Sequence, residues 1–258
     1  MAEQPGGERL PQSDMTNKVV EAASFLLASA MGIQGWSGSL DWSKRLTNQG
    51  PLTNPELIRS FSRIKRIDFL PDEQKRDEGF DQPLSVGYGQ TNSQPSLVAG
   101  MLELLKPRRG HTILDVGAGS GWTTGLLAAV AGKDGSVVGT ERIPELVGFA
   151  KGNLAKYELP QAKVVHTGSD LGRPSEGPYN RILVSAHIIE DWVPELSAQL
   201  HPYGGIMVAP MVTKENHGTS GYHQDIAVIT RHGSHFARTT AMEGVGFVPL
   251  IHGEATPA

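Results

Sequence analysis

The 258-residue chain has no cysteine, which excludes disulfides, thiolate metal ligands and a thiol nucleophile together. That lack fits a reducing compartment, and the expected location is the cytoplasm. No apolar run reaches the roughly 20 residues needed to cross a bilayer. The one early apolar stretch, Val19–Met31, carries Glu21 in its first turn and has neither a basic leader nor a clear cleavage site, so it predicts an amphipathic helix laid against a domain. Charge of one sign is also scarce. Twenty-three Lys and Arg against 27 Asp and Glu leave a net −4, and nothing in that balance favours nucleic acid or another polyanion. The short basic clusters Arg63–Arg66 and Lys106–Arg109 read as solvated helix ends. Hydrolytic motifs are missing as well: there is no Gly-x-Ser-x-Gly elbow and no His-Glu-x-x-His pair. His217, His223, His232 and His235 fall late in the chain without carboxylate or thiolate spacing to join them, so no metal site is expected.

What is present is a regular alternation. Short β-rich runs at Thr112–Val116, Ser136–Thr140, Ala162–His166, Arg181–Ser185 and Gly205–Pro210 are separated by helical patterns at Thr123–Ala131, Pro144–Lys156 and Val193–His201. Such alternation predicts an α/β fold with a doubly wound, mostly parallel sheet. Two last runs, Ile226–Arg231 and Phe236–Thr240, flank a His-Gly-Ser turn and predict an antiparallel pair closing the edge. The expected sheet therefore has seven strands with an antiparallel edge strand. Upstream, Asn54-Pro55-Glu56 is a helix start, Asn as cap and Pro at the first helical position, with Leu57, Phe61 and Ile64 as its apolar face and an end near Phe69. Gly35–Gly50 reads as a loop and a short helix resting on the core. Met1–Asn17 is polar and rich in Gly, Pro and Gln, a composition that predicts a disordered tail. The organisation expected is a single domain over residues 39–253, an extension with one helix over 1–38 and a short tail at 254–258.

The sharpest local feature is Ile113-Leu114-Asp115-Val116-Gly117-Ala118-Gly119-Ser120-Gly121, a strand running into a glycine turn that opens a helix. Glycine lets a ligand approach such a turn closely, having no Cβ and tolerating positive φ. Trp122 stands where a dinucleotide fingerprint wants its third glycine, which weakens a nicotinamide reading, and Gly125–Lys133 followed by Asp134 excludes a P-loop. The remaining match is the first motif of the class I methyltransferases, in which an acidic residue, here Asp115, meets the methionine end of the cofactor. The next strand ends in Gly139-Thr140-Glu141, so Glu141 sits at the offset where such folds hold ribose hydroxyls, and a carboxylate can accept from both. Asp115, Gly117, Gly119, Gly121 and Glu141 are thus the candidate seat for S-adenosylmethionine.

Before this turn lies Val86-Gly87-Tyr88-Gly89-Gln90-Thr91-Asn92-Ser93-Gln94-Pro95, followed by a helical pattern at Ser96–Leu105. This stretch resembles the substrate loop of the protein-L-isoaspartate O-methyltransferases, which reads nearly Gly-x-Gly-Gln-Thr-Ile-Ser-Gln-Pro. Glu56–Pro71, Arg181–Ala186 with Gly204–Pro210, and Gly244–Leu250 resemble that family too, so the likeness runs from about Trp42 to Gly253. Pro95 in a first helical turn leaves backbone N–H groups and the positive end of a helix dipole beside Ser93 and Gln94, a seat for a carboxylate. The resemblance implies that Ser93 lies between the cofactor methyl and the isoaspartyl carboxylate and orients it without attacking. It adds Gln90, Thr91 and Ala118 to the cofactor-binding residues. Three departures stand out. Asn92 replaces an aliphatic residue; the family's Gly-Asp-Gly after the third strand is here Gly168-Ser169-Asp170; and His187–Asp191 is more polar than the family's small-residue run. Ser169 and Asp170 are expected on the adenine side, with Asp170 bending back and Ser169 making a weaker local contact.

The function implied is transfer of a methyl group from S-adenosylmethionine to the α-carboxylate of L-isoaspartyl residues in damaged proteins or peptides, whose esters collapse to succinimides. The expected agent is a monomer acting on neither nucleic acid nor membrane. A carboxylate of pKa near ~4 is already ionised at neutral pH, so alignment and desolvation are the work required. Two other readings keep the cofactor seat: a carboxyl methyltransferase with a dedicated peptide or small-molecule acceptor, and a methyltransferase-like module that binds without turnover.

Overall fold

A computed structural model describes residues 41–168, 170–213 and 223–253. The expected tail and the helix at Val19–Met31, together with Ser169 and His217, lie outside the described residues. Helix α1 (Trp42–Gln49) rests on the core through Trp42 and Leu46, and its Trp42 Nε1 donates to Glu78 Oε1 at 3.0 Å. Helix α2 (Pro55–Arg63) begins as its sequence dictates: Asn54 Oδ1 accepts from the N–H of Glu56 at 2.8 Å, with Pro55 at the first position. It stops at Arg63 instead of Phe69. The chain then turns through a short 3-10 helix at Arg66–Phe69, which seats Phe69 in the core.

Strands β1 (Leu84–Gly87) and β2 (Gln90–Asn92) form a hairpin that, among the described residues, pairs only with itself. Helix α3 (Pro95–Leu105) follows. The main sheet then assembles from β3 (Thr112–Val116), β4 (Ser136–Glu141), β5 (Ala162–His166), β6 (Arg181–Val184), β7 (Tyr203–Thr213), β8 (His223–His232) and β9 (His235–Val245), in the order β5-β4-β3-β6-β7-β8-β9. The first five are parallel, and β8 runs antiparallel to β7 and to β9. The expected edge pair is present, longer than its sequence signal at both ends.

Helices α4 (Trp122–Ala131) and α5 (Pro144–Leu154) cover one face with α3, while α6 (Val193–Ala198) covers the other. Strand alternation sorts the core accordingly. Ile113, Val137 and Leu183 point into the first layer with Leu102, Leu126 and Leu127, and Leu114, Val138 and Ile182 into the second with Leu196 and Leu200. Each such buried side chain contributes about 2 kcal/mol of transfer free energy. Gly132 ends α4 with φ +67°, the C-terminal glycine expected there. This frame fixes the C-terminal ends of β3, β4, β5 and β6 side by side, which is where parallel sheets hold ligands.

Candidate functional site

A cleft opens over those strand ends. Its floor is Val116, Gly117 and Gly119 from the turn after β3; one wall is Thr140–Ile143 after β4, and Thr167 and Asp170–Gly172 after β5 form another. Ser185 and Ala186 close it after β6, Gln90 and Thr91 of β2 border it, and Val248–Gly253 lie over it.

The glycine turn is shaped by its torsions. Gly117, Gly119 and Gly121 all have positive φ, at +79°, +53° and +87°, which L-residues with side chains rarely adopt. At Gly119 a Cβ would meet nothing within 4 Å, so it would project into the open cleft that a ligand needs. At Gly121 it would come within 3.1 Å of Ala150, and this glycine serves the packing of α4 on α5 instead of the cleft. Glu141 lies on the wall, 6 % exposed, with Oε2 accepting from the Gly119 N–H at 2.9 Å and Oε1 from the Ile143 N–H at 3.0 Å. One donor per oxygen orients the carboxylate and leaves lone pairs for a diol.

Asp115 is placed differently from its expected role. It is wholly buried and does not border the cleft. Its Oδ2 accepts from the hydroxyls of Thr123 and Thr124 at 2.7 Å each, and its Oδ1 from the Ser185 hydroxyl at 3.3 Å. Burial holds its carboxyl above the usual range, against the pull of these three hydroxyls. Asp115 thus ties the start of α4 to the end of β6, and the cleft it supports is bordered by others. Ala118, also buried and outside the lining, packs in the first core layer.

Ser93 lies half-buried between β2 and α3, and its hydroxyl enters none of the hydrogen bonds among the described residues. The cap of α3 is Gln94, not Ser93, with no side-chain cap bond. The open seat expected at this helix end is corrected by Asp81: its Oδ1 accepts from the Ser96 N–H at 3.0 Å, so the chain supplies its own carboxylate to the first free donor.

Arg66 overturns the reading of its cluster as a solvated helix end. It is 1 % exposed, and burial lowers its guanidinium to about 10. It donates six hydrogen bonds, five of them to the backbone carbonyls of Glu78, Phe80, Gln82, Asn92 and Ser93, and the sixth to Asn92 Oδ1 at 2.9 Å. This explains Asn92, buried at 4 % where an aliphatic residue was expected: an amide there accepts from Arg66 and donates to Ser120 Oγ at 3.1 Å. Spacing gives no warning of Arg66, because a basic residue after a helix is usually solvated.

Asp170 is exposed and borders the cleft beside Thr167 and Leu171, with positive φ at Gly168 (+59°) and Gly172 (+78°) on either side. The cover Val248–Gly253 was visible only as part of a likeness. His187 holds it: its N–H donates to Val248 O and its carbonyl accepts from the Leu250 N–H, both at 2.9 Å. Those bonds are made by the backbone; the side chain of His187 adds a contact just before the segment, its Nδ1 lying 2.9 Å from Phe247 O. Gln224 strengthens it, accepting from the Phe247 N–H at 2.7 Å.

A family model for protein-L-isoaspartate(D-aspartate) O-methyltransferases matches residues 41–255. The chain belongs to that family. As a member it is an S-adenosylmethionine-dependent protein carboxyl methyltransferase. Similar relatives carry the name protein-L-isoaspartate O-methyltransferase: one from Methanococcoides burtonii is 37% identical over 199 residues, covering 77% of this chain and 93% of its own. Another, from Methanopyrus kandleri, is 38% identical over 210 residues, with 81% and 88% covered. Among solved structures, a protein-L-isoaspartate O-methyltransferase aligns with a TM-score of 0.69 at 24% identity over 82% of this chain and 64% of that one. A beta-aspartate methyltransferase from Plasmodium falciparum, solved with S-adenosyl-L-homocysteine, gives 0.69 at 21% over 84% and 99%. At these identities the structures speak for the fold.

Proposed function

We propose that this cleft holds S-adenosylmethionine and that the Ser93 loop presents to it the α-carboxylate of an L-isoaspartyl residue. The donor set fits such a cofactor. Glu141 offers a fixed acceptor for a ribose diol and Asp170 an acceptor on the purine side. Ile143, Leu171, Val248 and Leu250 supply apolar walls, and the turn at Gly117 and Gly119 leaves room for the amino-acid end. When bound, the cofactor supplies an electrophilic methyl group on a sulfonium. The residues of the chain do the remaining work. Asp115 acts through Thr123, Thr124 and Ser185 to hold the floor; Val248–Gly253 exclude water; Ser93 donates its hydroxyl to the acceptor carboxylate and fixes its direction. The methyl group that a bound cofactor would supply would pass to one carboxylate oxygen, which Ser93 would hold in line. No proton need move, so the reaction asks the site for orientation and for no base.

The observation that carries the reading is the hairpin, which brings Gln90 and Thr91 into the wall of the cleft that Glu141 borders, two residues short of Ser93. The reading includes a catalytic domain over residues 39–253 and a monomer that works in the cytoplasm on proteins or peptides. The net charge of −4 supports a target other than nucleic acid, and among the described residues no helix is long and apolar enough to cross a membrane. Labelled methyl from S-adenosylmethionine is expected in base-labile ester on an isoaspartyl peptide and not on its aspartyl twin; equal labelling would overturn the assignment. Ser93→Ala is expected to lower kcat about ten- to hundredfold, the worth of one hydrogen bond to a charged group, with a smaller change in cofactor affinity.

A further inference from the structure

The hairpin that carries the acceptor loop stands outside the main sheet, and a two-stranded ribbon is marginal by itself. Its place is set by side chains. Arg66 Nη2 holds the carbonyls of Asn92 and Ser93 at 3.3 and 3.2 Å, while its Nε holds Asn92 Oδ1 at 2.9 Å. The amide nitrogen of Asn92 then crosses to the glycine turn, donating to Ser120 Oγ at 3.1 Å. On the far side Asn153 Nδ2 donates to Ser120 O at 3.1 Å. Asn92, Ser120, Asn153 and Arg66 are all buried.

Ser120 sits between Gly119 and Gly121, whose torsions are permissive, so sterics of its own chain do little to fix it. Its position is set by Asn92 and Asn153. One residue earlier, the Gly119 N–H is bonded to the Glu141 carboxylate at 2.9 Å. A bonded path of few links thus runs from Glu141 through Gly119 and Ser120 to Asn92, and from there along the chain to Ser93. Anything that orders the turn from the cleft side also orders the Ser120 hydroxyl, and Asn92 carries that order to the acceptor serine.

We propose that Asn92 is a positioning residue whose bridge to Ser120 makes occupation of the cofactor cleft and binding of the acceptor peptide mutually favourable. The inference rests on the reading of the cleft as a methyltransferase site and adds to it a coupling between its two ligands. Reciprocity follows from linkage: if cofactor tightens peptide, peptide tightens cofactor by the same factor. A buried network with every member bonded holds one arrangement, which lets so short a path transmit a difference.

Calorimetry with S-adenosylhomocysteine, which binds without turnover, tests this. An isoaspartyl peptide is expected to bind the wild-type chain at least about fivefold more tightly when that product saturates the cleft, the lower end of ordinary allosteric couplings. Asn92→Leu and Ser120→Ala, each of which removes the bridge, should bring the ratio to within about twofold of one. Asn92→Asp should retain it, because a carboxylate accepts both from Arg66 and from the rotatable Ser120 hydroxyl. A strut with no role in coupling would lower the melting temperature and leave the ratio of affinities untouched, so an undiminished ratio in Ser120→Ala overturns the proposal even if Asn92→Leu does not fold. A wild-type ratio of one in a chain that methylates the peptide overturns it too, with the enzymatic reading intact. Absence of both methylation and peptide binding would remove that reading and the coupling with it.

Discussion

Glu141 and Asp115 look alike in the sequence, each an acidic residue near a strand end, and the structure gives them different work. Glu141 faces the cleft with two backbone donors, while Asp115 faces three hydroxyls inside the protein. Glu141→Gln is therefore expected to weaken S-adenosylhomocysteine binding about ten- to hundredfold by calorimetry. Asp115→Asn acts at one remove, and its loss of affinity should be the smaller; the reverse order would return Asp115 to the cleft. The spacing showed both residues and could not show which way each side chain turns. Arg66 and Asn92 were hidden for the same reason, since nothing local tells a buried guanidinium from a solvated one. His111 gives a pH prediction at this scale. Burial, with Arg181 and Arg108 nearby, pushes its imidazole down to about 4 from the ordinary 6.5, and its Nδ1 accepts from the Arg108 N–H at 3.2 Å. Between those values the unfolded chain binds a proton that the folded chain refuses, so stability falls as pH drops from about 6.5 towards 4. In urea titrations His111→Asn, which keeps an acceptor and does not titrate, should lose less stability over that interval than the wild type.

Elements were more legible than side chains. β3 and β5 have the bounds that their runs imply: β3, buried on both faces, is an apolar stretch with clear ends, while β5 is an edge strand in which Val164 alone is buried and its β-branched pair marks it. β7, β8 and β9 outrun their signals, since ladder bonds extend them through polar residues that a neighbouring strand stabilises. α2 ends early because Ile64 and Phe69 must both reach the core, which a straight helix does not arrange. Between β4 and α4 the contact is so close that only glycine fits: at Gly139 a Cβ would lie 2.7 Å from Thr124 Oγ1, the hydroxyl that donates to Asp115. Gly139→Ala is expected to cost about 2 kcal/mol by overpacking, a fall of roughly 4–8 °C in melting temperature. Cofactor affinity should drop with it, as Thr124 is pushed from Asp115. Unchanged melting would mean that α4 can move away freely.

For the whole molecule, the cleft is assembled from distant parts of the chain: the hairpin, the ends of four parallel strands, and a cover that follows β9. That cover is joined to the rest through the backbone of His187 and through Leu250, which packs on the second core layer, while Gln224 holds Phe247 just before it. A chain ending at Phe247 should keep its sheet by far-UV circular dichroism and lose measurable S-adenosylhomocysteine binding; retained affinity would mean that Val248–Gly253 is dispensable. The order of the strands has a further consequence, for synthesis. β3 waits for β6, with Ile113 pairing Arg181, so the inner strand of the sheet keeps an open edge on the ribosome until some seventy more residues have been made. β7, β8 and β9 then close in succession, each beside the strand just before it. The cover comes after them, so a nascent chain has the floor of its cleft long before it has the roof, and cofactor can assist folding only once synthesis has passed Gly253.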